Sequence, residues 1–214
     1  MSFAALGKKF FRDIKRIFSG RNLIWHALVI VLTYCIVVFG VDRWIIQTFH
    51  GNGVKVFGFG AGMIGFVLPI AAPLIFFAVG ALRKSTVLIR NGWLLAEAEI
   101  IALLTSFFYK AFTGRPGPSE LFGVTPVDTS HVFKFGFLRG GVFWGWPSSH
   151  TCVAFAVSIT LFLLYRSRPL RVAVIFWAFL VGFGASVGFH WLSDAIAGGI
   201  IGTVVGVVAA RAKK

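Results

Sequence analysis

The chain has 214 residues, 57% of them hydrophobic, and a mean hydropathy of +0.86, too apolar for an ordinary water-soluble domain. Its 21 Lys and Arg against 7 Asp and Glu give a net charge of +14. These cations sit in short clusters between long apolar runs, which is the pattern of membrane topology signals and excludes soluble nucleic-acid binding. Cys35 and Cys152 both lie inside apolar segments, so neither a disulfide framework nor a cysteine-based metal site is indicated.

Residues 1–22 interleave Lys8, Lys9, Arg12, Lys15, Arg16 and Arg21 with Phe3, Phe10, Phe11, Ile14, Ile17 and Phe18. The spacing predicts a basic amphipathic helix lying on an anionic membrane face, or a plain topogenic tail. Residues 23–214 form one membrane-embedded domain of six predicted spans. The first runs from Leu23 to Val41, as long as a span and therefore not read as a cleaved signal peptide. Residues 44–60, with Gly51, Gly53, Gly58 and Gly60, are expected to be a loop or a shallow segment. The second span, 61–82, contains Pro69 and Pro73, and the third, 92–112, carries Glu97, Glu99 and Lys110. Residues 113–146 are polar, aromatic and irregular, unfit to face lipid. The fourth span begins at Pro147-Ser148-Ser149-His150 and ends near Tyr165; the fifth and sixth cover 172–189 and 191–210.

Six spans put both termini on one side. Fifteen of the 21 basic residues fall there, in the N-terminal tail, the connections at 83–90 and 166–171, and residues 211–214. Arg43, Lys55, Lys110, Arg115, Lys134 and Arg139 fall opposite. The imbalance predicts cytoplasmic termini, with 113–150 and the turn at His190 on the external side.

Three polar groups are thereby brought to one membrane face. Lys110 and Arg115 bracket the end of the third span in Lys110-Ala111-Phe112-Thr113-Gly114-Arg115-Pro116. Ser148, Ser149 and His150 open the fourth span behind Pro147, where a helix start offers free N–H groups and the positive end of its dipole to an anion. His190 and Asp194 open the sixth, four residues apart and so on one helical face. A carboxylate on one imidazole nitrogen fixes the tautomer and leaves the other nitrogen a better nucleophile. Taken singly, each group has a plainer role: Lys110 and Arg115 as interface anchors, the His190–Asp194 pair as a staple. Their meeting on one side favours a site. Glu97 and Glu99 are expected to pack against polar groups of another span. Glu99 and Lys110 are eleven residues, about 16 Å, apart along a helix and cannot pair. His26 and His50 read as interfacial or structural.

These residues resemble the motifs of the type 2 phosphatidic acid phosphatases, membrane lipid phosphatases related to vanadium haloperoxidases, whose pattern is K-x6-R-P, then P-S-G-H, then S-R-x5-H-x3-D. The resemblance covers about residues 90–210 in order and loop length. It implies an all-α, six-helix membrane bundle and a phosphohistidine mechanism without metal or other cofactor. By position, His190 would attack phosphorus, Asp194 would orient it, and His150 would protonate the leaving oxygen. Lys110, Ser148 and the helix start would hold the phosphate, with Ser149 in place of the glycine of P-S-G-H.

The departures are specific. The first arginine of the pattern falls on Gly117, with Arg115 two positions earlier as its substitute. The Ser-Arg pair falls on Phe183 and Gly184. Arg139, between Leu138 and Gly140-Gly141, is the expected replacement cation, with Lys134 behind it. The reading is an integral membrane enzyme of the bacterial inner membrane that hydrolyses a lipid phosphate or diphosphate at the external face. Its partners are the phosphorylated lipid and the membrane. Undecaprenyl diphosphate, phosphatidylglycerol phosphate and lipid A phosphates are the substrates the resemblance suggests. A lipid phosphotransferase using the same intermediate, and a non-catalytic phospholipid-binding protein, are the alternatives.

Overall fold

The computed structural model describes residues 3–49, 51–118 and 128–211. His50 and the basic pair Lys213 and Lys214 lie outside the described residues. Among those described, the chain is all helical and holds eight helices rather than six. They are α1 (Phe3–Ile17), α2 (Asn22–Val38), α3 (Val41–Thr48), α4 (Asn52–Leu82), α5 (Thr86–Thr113), α6 (Ser149–Leu164), α7 (Arg168–Gly188) and α8 (Leu192–Ala210). The segments 56–82, 168–188 and 192–210 are long and apolar enough to cross a membrane, and α1 with α2, bent by 52°, makes a fourth. Helix α5 is interrupted by charge, and α6 has 16 residues. The surface agrees with a lipid environment: Leu74, Phe176 and Phe179 are 60%, 66% and 63% exposed on the outer faces of α4 and α7.

Three expectations change. Residues 44–60 are not a loop, because α3 runs to Thr48 and α4 begins at Asn52 and continues through Pro69 and Pro73 to Leu82. Of the glycines in this stretch, Gly58 is a packing contact: a Cβ there would lie 2.7 Å from Cα of Gly188 on α7, whereas Gly51, Gly53 and Gly60 face open space. The basic N-terminal helix does not merely rest on a surface either. Lys9, Asp13 and Ile17, one residue per turn, are buried. Lys9 Nζ donates to Asp13 at 2.7 Å, to Glu97 on α5, and to the Ala209 carbonyl at 3.4 Å, near the C-terminal end of α8. Glu97 thus finds its polar partner not on another span but on the N-terminal helix. His26 is structural: buried, with Nε2 3.0 Å from the Ile17 carbonyl and Nδ1 2.8 Å from the Tyr109 hydroxyl.

The helices α6 and α8 cross with almost nothing between them. Gly198, Gly202 and Gly206 recur every fourth residue, forming one stripe of α8 against α6. A Cβ on them would lie 2.5, 2.2 and 2.6 Å from the carbonyl oxygens of Ser148, Cys152 and Ala156. Backbone-to-backbone approach at small residues is how helices gain contact where lipid removes the hydrophobic drive. Because the stripe begins opposite Ser148, it also fixes the level of the two motif-bearing helix starts. Gly202→Leu should therefore lower thermal stability in detergent by the equivalent of about 1–3 kcal/mol. An unchanged melting temperature would show that the crossing is loose.

Candidate active site

The three motifs converge at the end of the bundle where α5 stops and α6 and α8 start. Helix α5 ends at Gly114, whose φ of +39° suits glycine. Its last carbonyls are then taken by the incoming loop: Lys134 N donates to Thr113 and Gly114, Gly136 N to Phe112, and Leu138 N to Ala111. This alternate-residue pairing clamps residues 134–138 along the helix end. The start of α6 is held by Ser148 N donating to the Asp194 carbonyl at 3.0 Å. Trp191 Nε1 donates to the Pro116 carbonyl at 2.8 Å and ties the start of α8 to the segment after α5.

His190, Asp194, His150 and Lys110 are brought together as the sequence predicts. His190 is buried, with Nδ1 3.4 Å from Asp194 Oδ2, which also accepts from Trp191 N at 3.3 Å. The proton this carboxylate can accept is on Nδ1, which leaves the Nε2 lone pair for an electrophile. Burial is the main cause holding the imidazole below its ordinary titration range; Asp194 opposes the shift and the Lys110 charge adds to it. The His150 ring stands 6.3 Å from that of His190, centroid to centroid, with the Phe189 ring beside both. Lys110 Nζ donates to the Phe143 carbonyl at 3.1 Å and forms no ion pair among the described residues.

Lys110, Arg115, His150 and His190 line one end of a cavity of about 1180 Å³ that continues between α4 and α5 along Phe59, Met63, Leu103 and Phe107. Ser149 and the loop residues Lys134 and Phe143 share its wall.

Arg115, Ser148 and Arg139 have other surroundings than the phosphate role expected of them. Arg115 is fully buried and all five of its N–H donors are occupied. Nε donates to the Ser130 carbonyl at 2.9 Å; Nη1 donates to Ser193 Oγ at 2.7 Å and Asp194 Oδ1 at 2.5 Å; Nη2 donates to Asp42 Oδ2 at 2.7 Å and again to Ser130. Phe133 and Trp191 lie over its guanidinium at 4.8 and 5.5 Å. All its donors are thus taken within the protein, two of them by the carboxylates of Asp194 and Asp42, although the side chain borders the cavity. Ser148 is also buried, its hydroxyl accepting from Thr151 N at 3.4 Å and Thr151 Oγ1 at 3.1 Å, which makes it the cap of α6 rather than part of the cavity wall. Arg139 is exposed and outside the cavity, whereas Lys134 lines it; the order expected of the two cations is reversed.

Gly184 and Gly117 explain the missing arginines. A Cβ at Gly184 would lie 2.3 Å from that of Ala61, so α4 occupies the space a side chain there would need. At Gly117 it would lie 3.0 Å from the Phe189 carbonyl.

Sequence reasoning missed Asp42. It is fully buried in α3, accepting from Ser193 N at 2.8 Å and Ser193 Oγ at 2.6 Å as well as from Arg115. The available signal was an acid flanked by apolar residues at the end of the first span, which membrane energetics marks as functional. Asp42, Arg115, Asp194 and His190 form a chain of contacts drawn from four segments.

The profile of the PAP2 superfamily matches residues 91–214. The chain belongs to that superfamily. Its sequence is also 30% identical, over 127 residues, to the lipid A 4'-phosphatase of Bacteroides thetaiotaomicron, an alignment that takes in 54% of this chain and 55% of the relative. The chain thus spans about half the length of the curated relative it matches. No solved structure matches it.

Removing the Asp42 charge takes the Asp42–Arg115–Asp194 cluster beside His190 from net negative to neutral. Asp42→Asn should therefore move the His190 titration to lower pH, read by NMR of labelled histidine. It should also reduce stability in detergent by about 3 kcal/mol. A titration left in place would separate Asp42 from the site.

Proposed function

We propose that this PAP2 superfamily protein is an integral membrane lipid phosphatase that works through a phosphohistidine on His190. The observation that carries this is the pair of imidazoles, 6.3 Å apart, facing one cavity with Asp194 behind the first and the Lys110 ammonium beside them. In the first step His190 Nε2 attacks phosphorus, a N–P bond forms and the lipid oxygen leaves, taking a proton from His150. Asp194 stabilises the charge on the His190 ring. In the second step His150 accepts a proton from water as its oxygen attacks phosphorus, the N–P bond breaks, and phosphate departs. Lys110, Lys134 and the start of α6 at Ser149 and His150 offset the phosphoryl charge.

Six crossings, formed by α2 and α4 through α8, with cytoplasmic termini would set this site at the external face of the bacterial inner membrane, as the asymmetry of Lys and Arg suggests. The headgroup would enter the polar end of the cavity while its chains remain between α4 and α5. The relative's name, a lipid A 4'-phosphatase, favours a phosphate monoester on a bulky lipid headgroup as the first substrate to try.

The test is phosphate release from a panel of lipid phosphates in detergent. His190→Ala should abolish release, by about a thousandfold or more, and His150→Ala should slow it by roughly a hundredfold or more. Release that survives loss of His190 would refute the intermediate. Since burial lowers the His190 titration, the neutral nucleophile persists above its folded pKa and is lost as pH falls through it. The acid limb of kcat/KM should accordingly lie below 6.5, the ordinary imidazole value. A limb above 6.5 would contradict the buried neutral imidazole. Lys134→Ala should raise KM several-fold and Arg139→Ala should not; the reverse result would return the replacement role to Arg139.

A further inference from the structure

Glu99 lies on the same α5 face of the cavity as Leu103, Phe107 and Lys110, about 16 Å along the axis from Lys110. It stands near the middle of α5 (Thr86–Thr113), deep in the apolar part of the cavity, with Met63 and Ile70 of α4 across from it. Glu97, two residues away, is bonded to Lys9. Glu99, by contrast, makes no ion pair or hydrogen bond among the described residues. A carboxyl group in such a place costs free energy unless a partner meets it, and an apolar side chain would serve the fold better. Nothing described in the fold offsets that cost.

We propose that Glu99 is a specificity-determining residue, accepting a hydrogen bond from a hydroxyl or amide N–H carried in the chain region of the lipid. The inference rests on the phosphatase reading of the same cavity. Lys110 marks the phosphate end, so the donor belongs about 16 Å from phosphorus, beyond the headgroup and partway down an acyl chain. A lipid with the donor satisfies the carboxyl. A lipid with plain chains leaves it unpaired against methylenes, and a site built to bond a hydroxyl discriminates strongly against the analogue that lacks it.

The probes are two phosphatidic acids with identical headgroups, one with octadecanoyl chains and one with 10-hydroxyoctadecanoyl chains. The wild type should favour the hydroxylated lipid in kcat/KM by roughly tenfold. That ratio should collapse towards one in Glu99→Leu and be largely kept in Glu99→Gln, which retains an acceptor. Equal ratios in wild type and Glu99→Leu would overturn the proposal. Binding of both lipids to the His190→Ala protein gives a readout that needs no turnover. A Glu99-dependent preference there, without phosphate release by the wild type, would uphold the inference and remove the phosphatase. Equal affinities would sink the inference even if phosphate is released.

Discussion

The site depends on one buried cation. Arg115 is fully enclosed between Asp42 and Asp194, and its guanidinium satisfies five acceptor contacts from three segments of the chain. Burying a charge is costly, and the cost is met here only because every donor has a partner and each side has an opposing carboxylate. Two acids around one base leave a net negative charge on the cluster. That surplus sits directly behind His190, where positive charge would develop if its ring acts as the proposed nucleophile. Either acid alone would leave the cluster neutral and the ring without that support.

The packing that brings these groups to one level is a matter of close backbones rather than side-chain volume. The glycine stripe of α8 lets the Ser148 end of α6 sit against the start of α8, and the bond from Ser148 N to the Asp194 carbonyl follows from that approach. The loop at 134–138 is held by the open carbonyls at the end of α5, so Lys134 reaches the cavity because the helix stops where it does. On the far side, Gly58 and Gly184 let α4 press against α7 and close the position where the family pattern has an arginine. One contact type thus gathers the motif residues and excludes a familiar cation.

What could be read in the sequence was local. The spacing of His190 and Asp194, the helix start at Pro147, and the cation at the end of the third span are each contained within a few residues, and the sidedness of Lys and Arg put them together. What could not be read depends on distant pairs. Asp42 meets Arg115 across 73 residues and Ser193 across 151, and no local period announces either meeting. The burial of Lys9 and Asp13 was concealed for the same reason, since a charge that looks solvated on a helical wheel is inward once Glu97 faces it. Gly58 misled in the opposite sense, because glycine marks a turn in water and a close helix contact in lipid.

The two cations of the third-span motif divide their work by chemistry. Arginine's planar fork can answer several acceptors at once, which suits a fixed junction; lysine is a compact charge on a flexible stem, which suits an anion that arrives, changes charge and leaves. Here the fork is spent on Asp42, Asp194, Ser193 and Ser130, and Lys110 is the charge kept clear of carboxylates. The proposed phosphoryl site would therefore have no bidentate grip from Arg115. A phosphate held by ammonium groups and the start of a helix is fixed less in orientation than one gripped by a fork. Under the proposed function, orientation would then come from the rest of the lipid, and the long apolar cavity below the site is the part of the molecule able to supply it.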